Sequence, residues 1–208
     1  NIEFDQSNYL EALQHYMEAL SSFQKYEDTK GEGVACGKIG QVYLVRGELY
    51  QAQEYFNRAE QLHFANNDLV ERASILNKQA LLFLEKSELA KSIEYYKQAL
   101  QSHQKIGNDA GEALTLSQIA KVLTQQGQYR KAIDYNHNAL TINKKIGDVK
   151  QEAILLGNIG VLYSIQQLHQ RAMTFYFRAI DMYKKIGNKR ELANSLTNVG
   201  LSYQNLYS

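Results

Sequence analysis

The sequence predicts an all-α fold, a solenoid of about ten antiparallel-paired helices, and three observations predict it. Small residues recur at one fixed interval: Ala19, Ala59, Ala99, Ala139 and Ala179 follow one another every 40 residues without a slip. Apolar residues between them keep the i, i+3, i+4, i+7 spacing that gives a helix one apolar face. Proline is absent, which disfavours turn-rich β architecture and long linkers, because Pro presets φ at turn positions. Periodicity on this scale marks a supersecondary unit that buries its faces only by stacking on its neighbours.

Each period divides into two helices. The chain opens on a second-type helix, roughly Ser7–Gln24, within a partial repeat at 7–32. Full repeats follow at about 33–72, 73–112, 113–152 and 153–192, and a further first-type helix occupies 193–208. In a first helix, Leu156, Ile159, Gly160 and Tyr163 share a face; in a second, Ala172, Tyr176, Ala179 and Ile180 do so. Between the two helices of a pair stand Gly47, Ser87, Gly127 and Gln167, the glycines supplying easy positive φ. Between pairs stand Ile106-Gly107-Asn108, Ile146-Gly147-Asp148 and Ile186-Gly187-Asn188. There Gly suits the left-handed residue past a helix end, and Asn or Asp caps the next helix. Asp68 with Glu71, Asp148 with Gln151 and Asn188 with Glu191 have capping-box spacing.

Further columns repeat at the same period. Ala12, Ala52, Ser92, Ala132 and Ala172 are small, as are Gly40, Ala80, Ala120, Gly160 and Gly200. Large apolar columns run through Cys36, Leu76, Leu116, Leu156 and Leu196, and through Tyr43, Phe83, Leu123, Tyr163 and Tyr203. An aromatic column holds Tyr16, Phe56, Tyr96, Asn136 and Tyr176. Small residues let helices cross closely, and an aromatic ring from one helix fills the notch over the small residue of another. Irregularities gather in the second repeat, with Gln79 in an apolar column, Ser87 at the turn, and Glu60 opposite Leu20 in register.

These columns resemble the tetratricopeptide (TPR) family: a large apolar residue, Leu-Gly, Tyr, then Ala, an aromatic and Ala. The fourth full repeat carries the pattern as Leu156, Ile159-Gly160, Tyr163, Ala172, Tyr176 and Ala179. The period of 40 exceeds the usual 34 or so, and Gly-Asp/Asn replaces the closing Pro, as in polarity-adaptor and bacterial regulatory arrays of this family. The resemblance implies a right-handed superhelix whose first helices line a concave groove for a peptide or partner segment. A non-catalytic interaction scaffold is expected. The alternative is a regulatory or sensory module controlling an attached kinase, cyclase, protease or DNA-binding domain.

Carried over by register, the groove has a central row of Lys38, Lys78, Gln118, Asn158 and Asn198. Beside it stand Gln41, Asn77, Lys121 and Asn194. Amide and ammonium groups of this kind donate hydrogen bonds to peptide carbonyls or carboxylates, so an extended, acidic peptide is the expected partner. Leu81, Leu114, Ile154, Val161 and Ile165 offer an apolar pocket along the same face. Gly37 and Gly157, inside helices, are expected to serve close packing. Self-association through the chain ends or through a Tyr-rich face with Tyr203 and Tyr207 is a further possibility. Neither end reads as a polar cap, so the natural chain is expected to continue on at least one side.

Other function classes lack support in the sequence. A net charge of +1 provides no field for nucleic acid or anionic lipid, and the tyrosines fall in core columns rather than beside a basic track. No apolar run reaches the roughly 20 residues of a membrane span. His15, His63, His103, His137 and His169 lack metal-site spacing and read as surface groups. Cys36 sits in a core column, and Gly31–Gly37 lacks the Lys-Ser/Thr of a phosphate loop. No cofactor is implied, and a cytoplasmic setting is expected.

Overall fold

A computed structural model describes the backbone of residues 2–207 and the side chains of residues 8–206. Among the described residues the secondary structure is entirely helical, and the chain divides into two compact units, 1–107 and 108–208. The first unit contains α1 (Ile2–Lys25), α2 (Thr29–Val45), α3 (Leu49–Ala65), α4 (Leu69–Glu85) and α5 (Leu89–Ile106). The second contains α6 (Asp109–Gln125), α7 (Tyr129–Ile146), α8 (Val149–Ile165), α9 (His169–Ile186) and α10 (Lys189–Tyr207). Within each unit every helix packs on the next, and α2 also meets α4 as α8 meets α10. This is the all-α repeat class expected from the sequence.

The small-residue columns sit where rings press on backbone. A Cβ added at Gly40 would lie 2.7 Å from the Phe56 ring, and one at Gly160 would lie 2.6 Å from the Tyr176 ring. Phe56 and Tyr176 are buried, as are Ala52, Ala59, Ala172 and Ala179 around them. Ser92 replaces Ala in its column, and its buried hydroxyl donates to the Ala80 carbonyl at 2.8 Å. A second set of rings closes three of the four pairs near their turns: Tyr43 stacks on Tyr55, Phe83 on Tyr95 and Tyr163 on Phe175, with centroids 5.0–5.6 Å apart, while α6 carries Leu123 at this position. The polar irregularities are accommodated locally. The buried Gln79 donates to Asn57 Oδ1 at 2.9 Å, and Glu60 pairs with Arg72 at 2.8 Å.

Every turn closes in the same way, whatever residue it carries. Glu27, Gly47, Asn67, Ser87, Gly107, Gly127, Gly147, Gln167 and Gly187 all have φ between +53° and +76°. At Gly47 the N–H bonds back to the Leu44 carbonyl and the Glu48 N–H to the Tyr43 carbonyl, the paired bonds of a Schellman end. Ser87 and Gln167 take the same geometry without the glycine. The expected capping boxes are half made. Asp68, Asp148 and Asn188 accept from the N–H of Glu71, Gln151 and Glu191 at 3.2, 3.0 and 3.3 Å. Their own N–H groups bond to the His63, Asn143 and Tyr183 carbonyls of the preceding helix, so that donor is already satisfied when the third residue could reach it. In α10 the column residues Leu196, Gly200 and Tyr203 are exposed, because no described helix follows to cover them. The Tyr207 side chain lies outside the described residues.

Candidate functional site

In the first unit, Lys38 and Gln41 are exposed on α2, while Lys78 is half-buried on α4. Burial pushes the Lys78 ammonium below the ordinary lysine range, and the charge of Lys38 pushes it the same way against a weaker opposing pull from Glu71. The two lysines therefore share one local field. Asn77, also on α4, is tied to the His103 ring, with Nδ2 and Nε2 3.2 Å apart. Leu81 is exposed one turn beyond.

In the second unit the first helices α6 and α8 form the walls of a cleft of about 470 Å³. Gln118, Lys121 and Asn158 line it together with the expected apolar residues Leu114, Ile154 and Val161. Ile165 is exposed but does not line it. Asn194 and Asn198, on α10, stand apart: Asn194 donates to Glu191 at 3.3 Å, and the carbonyl of half-buried Asn198 accepts from the Ser202 hydroxyl at 2.9 Å.

Sequence reasoning passed over Thr124, Gln151 and Leu162 as lining residues of this cleft, and over a fourth whose chemistry matters more. Asn136 on α7 also lines it and is 3% exposed, and its amide oxygen has no hydrogen-bond partner. A buried polar group is nearly always hydrogen-bonded, because an unmet acceptor keeps its full desolvation cost. The signal was present in the aromatic column, where Asn136 is the one polar member among Tyr16, Phe56, Tyr96 and Tyr176. A ring at this position would fill the notch in register with Ala120, and the smaller amide leaves it open.

Two expectations are corrected by the structure. His63 and His103 are buried rather than superficial, at 0% and 7% exposure. They share a register with the buried Asn143 and Tyr183, a column that faces the preceding first helix, and a Cβ added at Gly33 would lie 2.9 Å from the His63 ring. Close packing explains Gly37, where an added Cβ would meet Ile75 Cδ1 at 2.6 Å. It does not explain Gly157, where the nearest neighbour is the Tyr183 hydroxyl at 4.0 Å. Burial pushes the Cys36 thiol up to about 11, away from the reactive thiolate. Among the described residues no three His, Cys, Asp or Glu side chains gather closely enough to hold a metal ion, and no helix is long and apolar enough to cross a membrane.

Paired helices at a fixed period, rings seated over glycine and a cleft between successive first helices define a helical-repeat protein. The tetratricopeptide repeat model matches residues 71–145 and 111–185, more than half of the chain. The chain belongs to the tetratricopeptide repeat family. No curated protein sequence matches it significantly. Among solved structures it is similar to BtubC (BKLC) from P. vanneervenii, with a TM-score of 0.82, 17% identity and coverage of 95% of this chain and 84% of that one. It is also similar to a STAND protein with a tetratricopeptide repeat sensor from Pyrococcus horikoshii, with a TM-score of 0.83 and 20% identity over 97% of this chain but only 31% of that protein. A third likeness is to a Rap protein complexed with Competence and Sporulation Factor, with a TM-score of 0.70 and 17% identity over 99% and 61% of the two chains. At these identities the likeness shows the fold alone.

Proposed function

We propose that the chain is a non-catalytic interaction module that binds an extended, acidic peptide segment of a partner protein along its first helices. The observation that carries this reading is the cleft between α6 and α8, where amide and ammonium groups of Gln118, Lys121 and Asn158 stand beside Leu114, Ile154 and Val161. Its volume falls within the roughly 300–1,000 Å³ of ligand-binding clefts, and its chemistry suits a peptide, with donors for carbonyls and apolar walls for side chains. Lys38 and Lys78 favour an acidic segment, since an anion beside them would offset both the desolvation cost of the Lys78 charge and its repulsion by Lys38. Gln41, Asn77, Asn194 and Asn198 complete the proposed contact set as lesser, unit-specific positions. Charge reversal tests the reading: Lys78→Glu and Lys121→Glu together should weaken capture of the partner at least about tenfold, as expected for losing two charge-assisted contacts. Unchanged capture by the double variant would refute the acidic-peptide reading.

A regulatory role is the second reading, favoured by the likeness to a STAND protein whose tetratricopeptide repeats are a sensor and of which this chain spans 31%. An output domain on the same natural chain would support it, and a natural chain composed of repeats alone would favour the adaptor.

A further inference from the structure

We propose that the cleft of the second unit is a subsite for a tyrosine side chain of the bound peptide, with the amide oxygen of Asn136 accepting the phenol hydrogen. This rests on the peptide-binding reading above and specifies what the peptide must carry.

The repeat itself supplies the first argument. Four of the five positions in the Asn136 column carry an aromatic ring, three of them Tyr. Where the structure shows the seat most tightly, Phe56 presses on Gly40 and Tyr176 on Gly160. At α7 the ring is missing while the helices that would hold it keep their places, and the cleft opens there. Its walls include Leu114, Ile154, Val161 and Leu162. A ring from outside would restore the apolar contacts that the chain does not make for itself, and aromatic rings bring large apolar area at small entropic cost.

The second argument is the oxygen of Asn136, buried and without a partner. The oxygen is already closed to water, so an apolar ring alone would leave its cost in place and supply no donor. Tyrosine meets both demands, because it presents an apolar face and one terminal donor. A serine would satisfy the oxygen and leave the walls bare. A phenylalanine would do the reverse.

The test begins with selection from a displayed random-peptide library on the purified chain, followed by titration of a selected peptide and its Tyr→Phe analogue. The expected results are enrichment of Tyr at one peptide position and a loss of roughly tenfold in affinity for the Phe analogue, the size of an unmet buried hydrogen bond. Asn136→Leu, of similar volume without the amide, should reduce the Tyr-over-Phe ratio to about one. Asn136→Tyr should place the chain's own ring in the cleft and weaken the selected peptide about tenfold or more, with thermal unfolding at least as high as that of the wild-type chain. If Asn136→Tyr fails to fold, the Asn136→Leu ratio decides. Peptides that bind without Tyr enrichment, or an unchanged ratio in Asn136→Leu, would overturn the subsite and leave the groove reading standing. Recovery of no binding peptide would overturn both.

Discussion

Two glycines on α8, Gly157 and Gly160, show how one residue type answers different demands. At Gly160 the Tyr176 ring occupies the space of a side chain, since an added Cβ would lie 2.6 Å from it. At Gly157 nothing lies nearer than the Tyr183 hydroxyl at 4.0 Å. Glycine inside a helix costs about 1 kcal/mol against Ala through backbone entropy. Gly160→Ala regains that amount but forces ring and helix apart, and overpacking costs about 1–3 kcal/mol. Gly160→Ala should therefore lower stability by up to about 2 kcal/mol, and Gly157→Ala should raise it by up to about 1 kcal/mol. Urea unfolding of the two variants checks the pair, and equal shifts in the same direction would contradict the packing account. Asn136 is the converse case, a position where the column calls for a ring and the chain withholds it.

The helices themselves were legible because their ends and faces are local. Period, apolar spacing and Gly-Asn/Asp junctions pointed to their number and their pairing, although α1 and α10 both begin earlier than the pattern suggested, and Asp28, Asp68, Asn108, Asp148 and Asn188 cap as their side chains dictate. The turns at Ser87 and Gln167 were less legible, because there the fold imposes a left-handed φ on residues that do not prefer it. Tertiary packing of the pair overrides the local preference. For a non-glycine residue that conformation costs about 1–2 kcal/mol, partly offset by the entropy that glycine loses on folding. Gln167→Gly should thus stabilise the protein by up to about 1 kcal/mol, while Gly127→Ala should destabilise it by a similar amount. Asp148→Ala, removing a side-chain acceptor from the Gln151 N–H, should cost about 1 kcal/mol. Denaturant midpoints of the three variants would expose an error in sign at any one of them. The cleft was half legible for a related reason. Its walls follow from register along α6 and α8, whereas its floor comes from a substitution on a different helix and depends on what that helix fails to fill.

Across the molecule, the same burial that builds the repeat core holds protons on acidic groups. Cys36 is fully buried and its thiol is pushed from 9.0 up to about 11; Tyr96 and Tyr183, buried in separate units, are pushed from 10.0 up to about 12. In each case burial penalises the charged form and is the largest cause. The unfolded chain releases these protons at the ordinary values while the folded chain keeps them, so the native state binds more protons in that window. Stability must then fall as pH rises. These groups contribute no slope below about pH 9, where they are protonated in both states; the thiol contributes from 9 to about 11 and the two phenols from 10 to about 12. Lysines also titrate in this range, so the difference between variant and wild type isolates each group. Cys36→Ala should flatten the profile between pH 9 and 11, and Tyr96→Phe with Tyr183→Phe should flatten it between 10 and 12. Urea midpoints measured across this interval decide the matter: variant profiles that merely parallel the wild type would show that burial does not govern these protons, whereas converging profiles would tie alkaline unfolding to the columns that define the repeat.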